Sequence, residues 1–169
     1  MTGLPDHRHN HNSGVVLQHD ILAILEGGAE RWNAFRAQHS ESIVLYGAAL
    51  PGAQLAHADL HRAILTESDL SHANLSCAIL ERAVLRKTDF RDSNLQQANV
   101  DGADLWGANL SGANLREASL VCSFLKRADL RGADLSSARG LTDAQIRDAF
   151  GNDRTRLPEG MARPASWNV

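Results

Sequence analysis

A leucine at every fifth position constrains the fold of this sequence more than any other feature. From Leu45 to Leu135 the spacing never slips, and only Phe90 and Val100 replace leucine. Two residues before each of these positions, from residue 48 onwards, stands Ala, Ser or Thr, and Asp or Asn is common one residue before. The repeated unit is therefore A-[D/N]-L-x-x. A repeat of this kind specifies an architecture more firmly than local helix or strand propensity does.

A period of five fits neither a helix nor a single strand. On an α-helix, five residues advance about 500°, so the leucines would form no stripe. On an extended strand they would alternate between two faces. A chain buries every fifth residue in one interior only if it bends once per repeat and coils around an axis. Because aromatic residues make up only 5% of the chain, the sequence predicts a solenoid whose core is built from Leu and Ala.

The residues that follow each leucine predict the bends. The second residue after leucine is never Val, Ile or Thr in this stretch, and it is Gly at six positions, which are 47, 52, 102, 107, 112 and 132. Turns with positive φ favour Gly and disfavour β-branched residues. Pro51 directly follows Leu50, where its fixed φ suits the first central residue of a turn. Each repeat is therefore expected to end in a tight turn.

The repeats resemble the pentapeptide repeat family, most clearly in ADLWGANLSGANL (residues 103–115) and RADLRGADL (residues 127–135). The resemblance implies an all-β solenoid, a right-handed quadrilateral β-helix with four pentapeptides in each coil of twenty residues. Over residues 43–139 this gives nearly five coils. A register of twenty also accounts for four of the five large apolar residues that precede leucine, because Val44, Ile64, Val84 and Phe124, but not Ile79, differ by multiples of twenty.

The flanking segments are expected to cover the two ends of the solenoid with short α-helices, because its ends would otherwise expose apolar side chains and unpaired backbone groups. We assign residues 1–14 to a disordered, His-rich tail and residues 15–42 to an N-terminal helical cap. Apolar residues recur at helical spacing in residues 15–26, Gly27 and Gly28 interrupt the pattern, and residues 30–38 resume it. The ERWNAFR stretch in this cap resembles the segment that precedes the repeats in many family members.

Residues 140–169 are expected to form a C-terminal helix and a proline-containing tail. Thr142 and Gln145 match a capping box, which predicts a helix that continues from Gln145 to Phe150. Pro158 and Pro164 prevent the rest of this segment from being helical throughout. The simplest role for the tail is to fold back over the last coil.

Composition argues against several function classes. The chain has 17 Lys and Arg against 20 Asp and Glu, a net charge of −3, so direct nucleic-acid binding through general basic charge is not expected. No nucleotide-binding, hydrolase or zinc-protease motif is present in the sequence. We expect no catalytic residues, small-molecule substrate, cofactor, metal site or membrane segment, and a cytoplasmic location. His7, His9 and His11 could bind a transition metal, although a disordered tail is the preferred interpretation.

The two cysteines are expected to be free thiols. Cys77 and Cys122 lie 45 residues apart, which in a twenty-residue coil is two coils and one further side. Two coils alone separate them by about 10 Å along the axis, beyond the reach of a disulfide.

One side of the predicted solenoid is apolar where the other sides carry Asp, Asn and Ser. We call it the apolar face, and it consists of Val44, Tyr46, Ile64, Val84, Trp106 and Phe124, interrupted by Asp104. Four basic residues, Arg86, Lys87, Lys126 and Arg127, are expected to form its rim. Contiguous exposed apolar surface marks an interface, so the face predicts a protein partner or a homodimer. The alternative is that the N-terminal helices fold along this face and bury it.

These observations favour a non-enzymatic protein–protein interaction or scaffold module whose partner the sequence does not identify. The family resemblance adds a second candidate, because some pentapeptide repeat proteins imitate duplex DNA and protect type II topoisomerases such as gyrase. Such a mimic requires a strongly acidic surface. Residues 45–139 contain 11 acidic and 10 basic residues, so the charge balance favours the interaction module.

Overall fold

The computed structural model describes residues 18–167, so the predicted tail of residues 1–14 and the beginning of the first predicted helix lie outside the described residues. Two α-helices precede the repeats, α1 (Gln18–Glu26) and α2 (Ala29–Arg36). One α-helix follows them, α3 (Asp143–Arg147), and a single 3₁₀ turn (Ala165–Trp167) lies near the end of the described chain. None of these helices has the length and apolar content needed to span a lipid bilayer.

Parallel bridges between single residues hold the repeats together. The residue that precedes each leucine pairs with the residue twenty positions later, from the Val44–Ile64 bridge through to the Ser119–Arg139 bridge. Four such bridges occur in every twenty residues, and they form four ladders along the solenoid. The chain therefore coils once per twenty residues, as the register of the large apolar residues predicts.

The interior is filled by the residues of the five-residue period. Every member of the series from Leu45 to Leu135 is at most 3% exposed, including Phe90 and Val100. The prediction that these side chains point inward is therefore confirmed. Burial of each leucine contributes about 1.5–3 kcal/mol before chain entropy is subtracted.

Hydroxyl side chains enter this interior only where they find an acceptor. Ser68 and Thr88 take the place of Ala and are fully buried. Ser68 Oγ donates to the carbonyl of Leu45 at 2.8 Å, and Thr88 Oγ1 donates to the carbonyl of Leu65 at 2.7 Å, each one coil back. These bonds offset the cost of burying the hydroxyl groups.

The corners are β-turns whose second central residue has positive φ. In the first turn the N–H of Ala48 donates to the carbonyl of Leu45, and φ is 63° at Gly47. The predicted turn position is thus confirmed. Twelve non-glycine residues adopt the same conformation with φ between 53° and 63°, a conformation that costs an L-residue about 1–2 kcal/mol. Regular packing of the interior offsets this strain.

The N-terminal helices cover the start of the solenoid. Leu25 of α1 and Trp32 of α2 are 1% and 0% exposed and belong to the same core as the leucines. Trp32 Nε1 donates to the carbonyl of Asp59 at 2.6 Å, and the N–H of Asp59 donates to Asn33 Oδ1 at 2.7 Å. The second helix begins one residue before the predicted position and ends at Arg36, two residues before the predicted Gln38.

The C-terminal helix is shorter than predicted. Thr142 and Gln145 do form the capping box, since each backbone N–H donates to the other residue's side chain. The helix ends at Arg147, however, and Phe150 is not helical but pairs with Asp129 in one of the ladders. The predicted helix over Gln145–Phe150 is therefore wrong at its end, because residues 149 and 150 re-enter the repeat register after α3.

Residues 149–167 form a layer over the last coil, which we call the closing layer. Arg156 pairs with Asp134, and Thr155 is buried with its hydroxyl donating to the carbonyl of Leu130 at 2.8 Å, as Ser68 and Thr88 do in the repeats. Trp167 is 3% exposed and donates from Nε1 to the carbonyl of Ala149 at 2.9 Å. The described tail thus folds over the last coil, as the sequence suggests.

Candidate functional site

The ladder that begins at Val44 builds the apolar face. Its bridges join Val44 to Ile64, Ile64 to Val84, Val84 to Asp104 and Asp104 to Phe124. The fold therefore brings the predicted residues of this ladder together in the predicted order. Tyr46 and Trp106 follow the inward leucines of the same side by one residue, so they flank the ladder.

The N-terminal helices leave much of this face exposed. Val44 and Phe124 are 50% and 49% exposed, and Tyr46 is 53% exposed. The remaining three members of the face, Ile64, Val84 and Trp106, are partly buried. Hydrogen bonds from α2 to the solenoid go to residues 57, 59 and 61, which belong to a different side of the first coil. Within residues 18–167, helical burial of the apolar face is therefore not observed.

Asp104, which interrupts the ladder, is held by two neighbours. Arg86 Nε donates to Asp104 Oδ2 at 2.6 Å, and the N–H of Trp106 donates to Asp104 Oδ1 at 3.1 Å. The carboxylate is therefore neutralised within the face. Arg86, one of the predicted rim residues, thus pairs with the carboxylate that interrupts the ladder.

A second polar group within the face is the chain of contacts from Tyr46 through Glu67 to Lys87. The Tyr46 hydroxyl donates to Glu67 Oε2 at 2.5 Å, and Lys87 Nζ donates to Glu67 Oε1 at 2.9 Å. The hydrogen bond from Tyr46, followed by that from Lys87, lowers the pKa of Glu67. The bond to Glu67 raises the pKa of Tyr46 and that of Lys87. All three groups are therefore fixed in their usual neutral-pH protonation states.

A groove crosses the face beside these polar groups. Its volume is about 590 Å³, and it is lined by Thr66, Glu67, Arg86, Lys87, Trp106, Phe124 and Lys126. Arg127 places its guanidinium carbon 5.8 Å from the centre of the Trp106 ring, a cation–π distance. The sequence prediction did not include Thr66 and Glu67. The twenty-residue coil would have indicated Glu67 from sequence, because it places residue 67 next to residue 87 of the following coil.

The other three sides carry mainly polar side chains that bond to the protein itself, with Ile79 and Phe150 as exposed apolar exceptions. The Oδ1 of Asn74 accepts the N–H of Ser76, and the equivalent bond recurs along the ladders, for example from Ser71 to Asp69. Asn114 also donates from Nδ2 to Oδ1 of Asn94, one coil back, at 3.1 Å. The Asp and Asn columns therefore belong to the repeat structure itself, because short polar side chains satisfy turn N–H groups.

Some acidic residues on these sides pair with a neighbouring basic residue. Asp89 and Asp129 each form an ion pair with the arginine two residues later, Arg91 and Arg131. Partial burial opposes ionisation of both carboxyls, yet hydrogen bonds from the arginine side chain and backbone lower the pKa of each. Two of the three carboxylates in the ladder that contains Asp69, Asp89 and Asp129 are therefore paired with a neighbouring arginine.

The remaining candidates for chemistry are not brought together. Cys77 and Cys122 are free thiols, as predicted. His61 is not an isolated surface residue, because its ring lies between the carboxylate of Asp59 at 2.6 Å and the buried guanidinium of Arg36 at 3.0 Å. Within residues 18–167 there is no group of three His, Cys, Asp or Glu residues that could hold a metal. The three histidines of the predicted tail lie outside the described residues.

Comparison with known proteins identifies the repeats. The model of the family described as pentapeptide repeats matches in eight copies over residues 43–76, 68–107 and 108–139, which together cover more than half of the chain. No curated protein sequence is significantly similar to it.

Solved structures of pentapeptide repeat proteins are also similar to the chain. Rfr23 from the cyanobacterium Cyanothece 51142 is 28% identical, with 74% of this chain and 97% of that chain covered and a TM-score of 0.44. A protein from Nostoc PCC 7120 is 31% identical over 77% of this chain and 86% of that chain, with a TM-score of 0.43. A protein from the Arabidopsis thaliana thylakoid lumen is 29% identical with a TM-score of 0.45, over 46% of this chain and about half (54%) of that chain.

Proposed function

The chain belongs to the pentapeptide repeat family, and we propose that it is a non-enzymatic protein–protein interaction module that binds its partner through the apolar face. The observation that carries this proposal is the exposure of aligned aliphatic and aromatic residues on one side of the solenoid only. Val44 and Phe124, at the two ends of that ladder, are each about half exposed. Single exposed apolar residues are common on protein surfaces, whereas a contiguous strip is typical of an interface.

The contrast with the other sides supports this choice of surface. On those sides the polar ladder residues use their oxygen atoms to accept turn N–H groups, as Asn74 and Asp69 do. On the apolar face the side chains of Val44, Ile64 and Val84 make no such bonds, so they contribute nothing to the turns. Their exposed apolar surface contributes favourable free energy only when a binding partner removes it from water.

The polar groups of the face support binding rather than catalysis. Glu67 is held by Tyr46 and Lys87, and Asp104 is held by Arg86. A general acid or base needs a pKa near the operating pH, and the contacts of Glu67 and Lys87 move their pKa values away from neutrality. Groups in fixed charge states are suited to orienting a partner.

A double substitution, Ile64→Lys with Phe124→Glu, tests the proposal because it leaves the leucine interior unchanged. The matched control is Ile79→Lys with Phe150→Glu, since Ile79 and Phe150 are also exposed apolar residues (41% and 54%) on other ladders. Mass in solution is measured by light scattering over a range of protein concentrations. The three proteins are also used as baits for quantitative affinity purification from the native host.

We expect the face variant to lose a self-association or a set of partners that the wild-type protein and the control variant retain. Thermal melting of the monomer should be nearly the same in all three proteins, because the substituted residues lie outside the core. The proposal is wrong if masses and partner sets are identical for all three proteins.

Mimicry of duplex DNA towards gyrase is the weaker candidate. The solenoid repeats are nearly balanced in charge, and two of the three acidic residues of one ladder, Asp89 and Asp129, are paired with Arg91 and Arg131. A DNA mimic needs uncompensated negative charge along its length. We expect the purified protein neither to inhibit supercoiling by gyrase nor to relieve quinolone poisoning, and clear protection in that assay would reverse this ranking.

A further inference from the structure

The chemistry of the groove specifies the kind of partner that the apolar face accepts. We infer that the groove binds an acidic, extended protein segment that carries an apolar anchor residue. This inference rests on the proposed function and goes further by naming the chemistry of the partner.

The floor of the groove suits an apolar anchor. Trp106 and Phe124 line it, and its volume of about 590 Å³ falls within the range of pockets that enclose bound organic groups. Trp106 is partly buried, so its ring is held in place rather than free in solvent. Aromatic side chains held in this way are typical anchor points of interfaces.

The walls of the groove carry more positive than negative charge. Of its basic residues, Arg86 is paired with Asp104 and Lys87 is paired with Glu67. Lys126 forms no ion pair with any residue in the described part of the chain.

Arg127 next to the groove also has no carboxylate partner among residues 18–167, and its guanidinium lies over Trp106. Two cations are therefore left uncompensated beside an aromatic ring, in a chain whose net charge is −3. This local excess of positive charge is complementary to the carboxylates of an acidic partner.

A second copy of the chain fits this surface less well. A twofold dimer opposes the same patch on both subunits. Such an arrangement adds a second set of the same two unpaired cations to one interface, while the carboxylates of the face, Asp104 and Glu67, are already paired with Arg86 and Lys87. A nucleic acid is also a poorer match, because only Lys126 and Arg127, of the residues that the structure describes, are unpaired cations at the groove, whereas nucleic-acid binding depends on neutralising many phosphates. An acidic protein segment satisfies both the cations and the apolar floor.

The test uses the full chain and four labelled probes in fluorescence anisotropy titrations. The first is a peptide in which Glu and Asp flank a central Leu-Phe pair. The second replaces its acidic residues with Lys, the third replaces its Leu-Phe pair with Ser-Ser, and the fourth is a single-stranded oligonucleotide of similar length. Binding is measured at low and at high salt, because an ionic contribution weakens as salt is added.

The protein variant for this test is Lys126→Glu with Arg127→Glu. Position 127 has φ of 62°, and Glu117 already adopts φ of 61° at the equivalent turn position, so glutamate is compatible with that backbone. The control is Arg116→Glu with Arg154→Glu, which changes net charge by the same amount at exposed positions away from the apolar face. Thermal melting establishes that both variants are folded.

We expect the acidic apolar peptide to bind more tightly than the other three probes and to weaken at high salt. The charge reversal at 126 and 127 should lower its affinity by about tenfold or more, while the control should change it less than threefold. Equal or tighter binding of the basic peptide or the oligonucleotide overturns the inference, as does an affinity that the charge reversal leaves unchanged.

This failure is distinct from failure of the proposed function. If Ile64→Lys with Phe124→Glu abolishes self-association or partner capture while the acidic peptide does not bind, the interaction face stands and the acidic partner is wrong. If neither set of substitutions has an effect, both proposals fail.

Discussion

Asn33 pairs with Asp59 as the backbone of a preceding coil would. The N–H of Asp59 donates to Asn33 Oδ1 at 2.7 Å, while Asn33 Nδ2 donates to the carbonyl of His57 at 2.9 Å. Trp32 Nε1 supplies the remaining donor to the carbonyl of Asp59. One coil later, Ile79 makes its two equivalent bonds to backbone groups of the first coil. Side chains of α2 thus close one side of the first coil, where a ladder edge would otherwise be unpaired.

Removal of this amide should destabilise the solenoid from its N-terminal end. Asn33→Ala leaves the N–H of Asp59 and the carbonyl of His57 without partners, which should cost about 1–3 kcal/mol in the free energy of unfolding. Glu30→Ala, at an exposed position of the same helix, should cost less than about 0.5 kcal/mol. Urea denaturation measures both. Equal losses for the two variants would show that the amide does not close the edge.

The interior leucines should carry most of the stability. Leu105 is 1% exposed, so Leu105→Ala should cost about 2–5 kcal/mol through lost burial and the cavity it leaves. Arg116 lies outside, two sides further along the same coil, and is exposed, so Arg116→Ala should cost under about 0.5 kcal/mol. Urea denaturation midpoints of the two variants are compared, provided that the m-value is unchanged. A similar shift for both variants would contradict the inward register.

Two glycines with the same backbone conformation should respond differently to alanine. Gly52 and Gly140 have φ of 69° and 72°, so alanine at either position incurs the cost of positive φ, about 1–2 kcal/mol. A Cβ at Gly52 meets no atom within 4 Å, whereas at Gly140 it lies 2.9 Å from the backbone of Val121. Gly140→Ala should therefore cost about 1–3 kcal/mol more than Gly52→Ala. Equal unfolding free energies would show that the backbone near Val121 adjusts freely.

The repeats could be predicted from sequence because each structural role depends on one position in five. The inward side chain, the small buried residue and the turn residue all recur without a change of phase between Leu45 and Leu135. Each position of the repeat has the same environment in every coil, so the residues of a column can be assigned before any contact is known. The order of Val44, Ile64, Val84 and Phe124 in one ladder follows from that register alone.

The closing layer could not be predicted in the same way. Phe150 and Arg156 pair with residues 21 and 22 positions earlier rather than twenty, because α3 and the loop after it interrupt the phase. The number of residues in these segments depends on how they pack over the last coil. A capping box identifies where the helix begins, but nothing local in the sequence marks Arg147 as its last residue.

Side-chain pairings at the candidate site also required the structure. The sequence suggested Arg86 and Lys87 as a basic rim but did not show that they pair with Asp104 and Glu67. Their reach depends on side-chain conformations between coils, which the period does not determine. The role of the face in partner binding stays a prediction until the substitutions described above are made.

The last prediction concerns the ion pair of Asp129 with Arg131 and its dependence on pH. Asp129 Oδ1 accepts from Arg131 Nε at 2.9 Å and from the Arg131 N–H at 3.0 Å. Partial burial opposes ionisation, but these bonds lower the pKa of Asp129 from its ordinary value of 3.8. A carboxyl with a lowered folded-state pKa contributes stability that is present above the unfolded-state value and is lost as pH falls through the folded value.

Asp129→Asn separates this charge from the hydrogen bond to the turn. Asparagine keeps an Oδ1 acceptor, as Asn109 does in the same ladder towards the N–H of Ser111. The variant should lose about 0.2–1 kcal/mol of unfolding free energy near neutral pH, and the difference from wild type should vanish below the folded-state pKa of Asp129. Asp153→Asn, an exposed carboxylate with no ion pair among the described residues, is the control and should differ little from wild type at neutral pH. If the loss caused by Asp129→Asn stays constant down to acid pH, it arises from altered turn geometry and not from the ion pair.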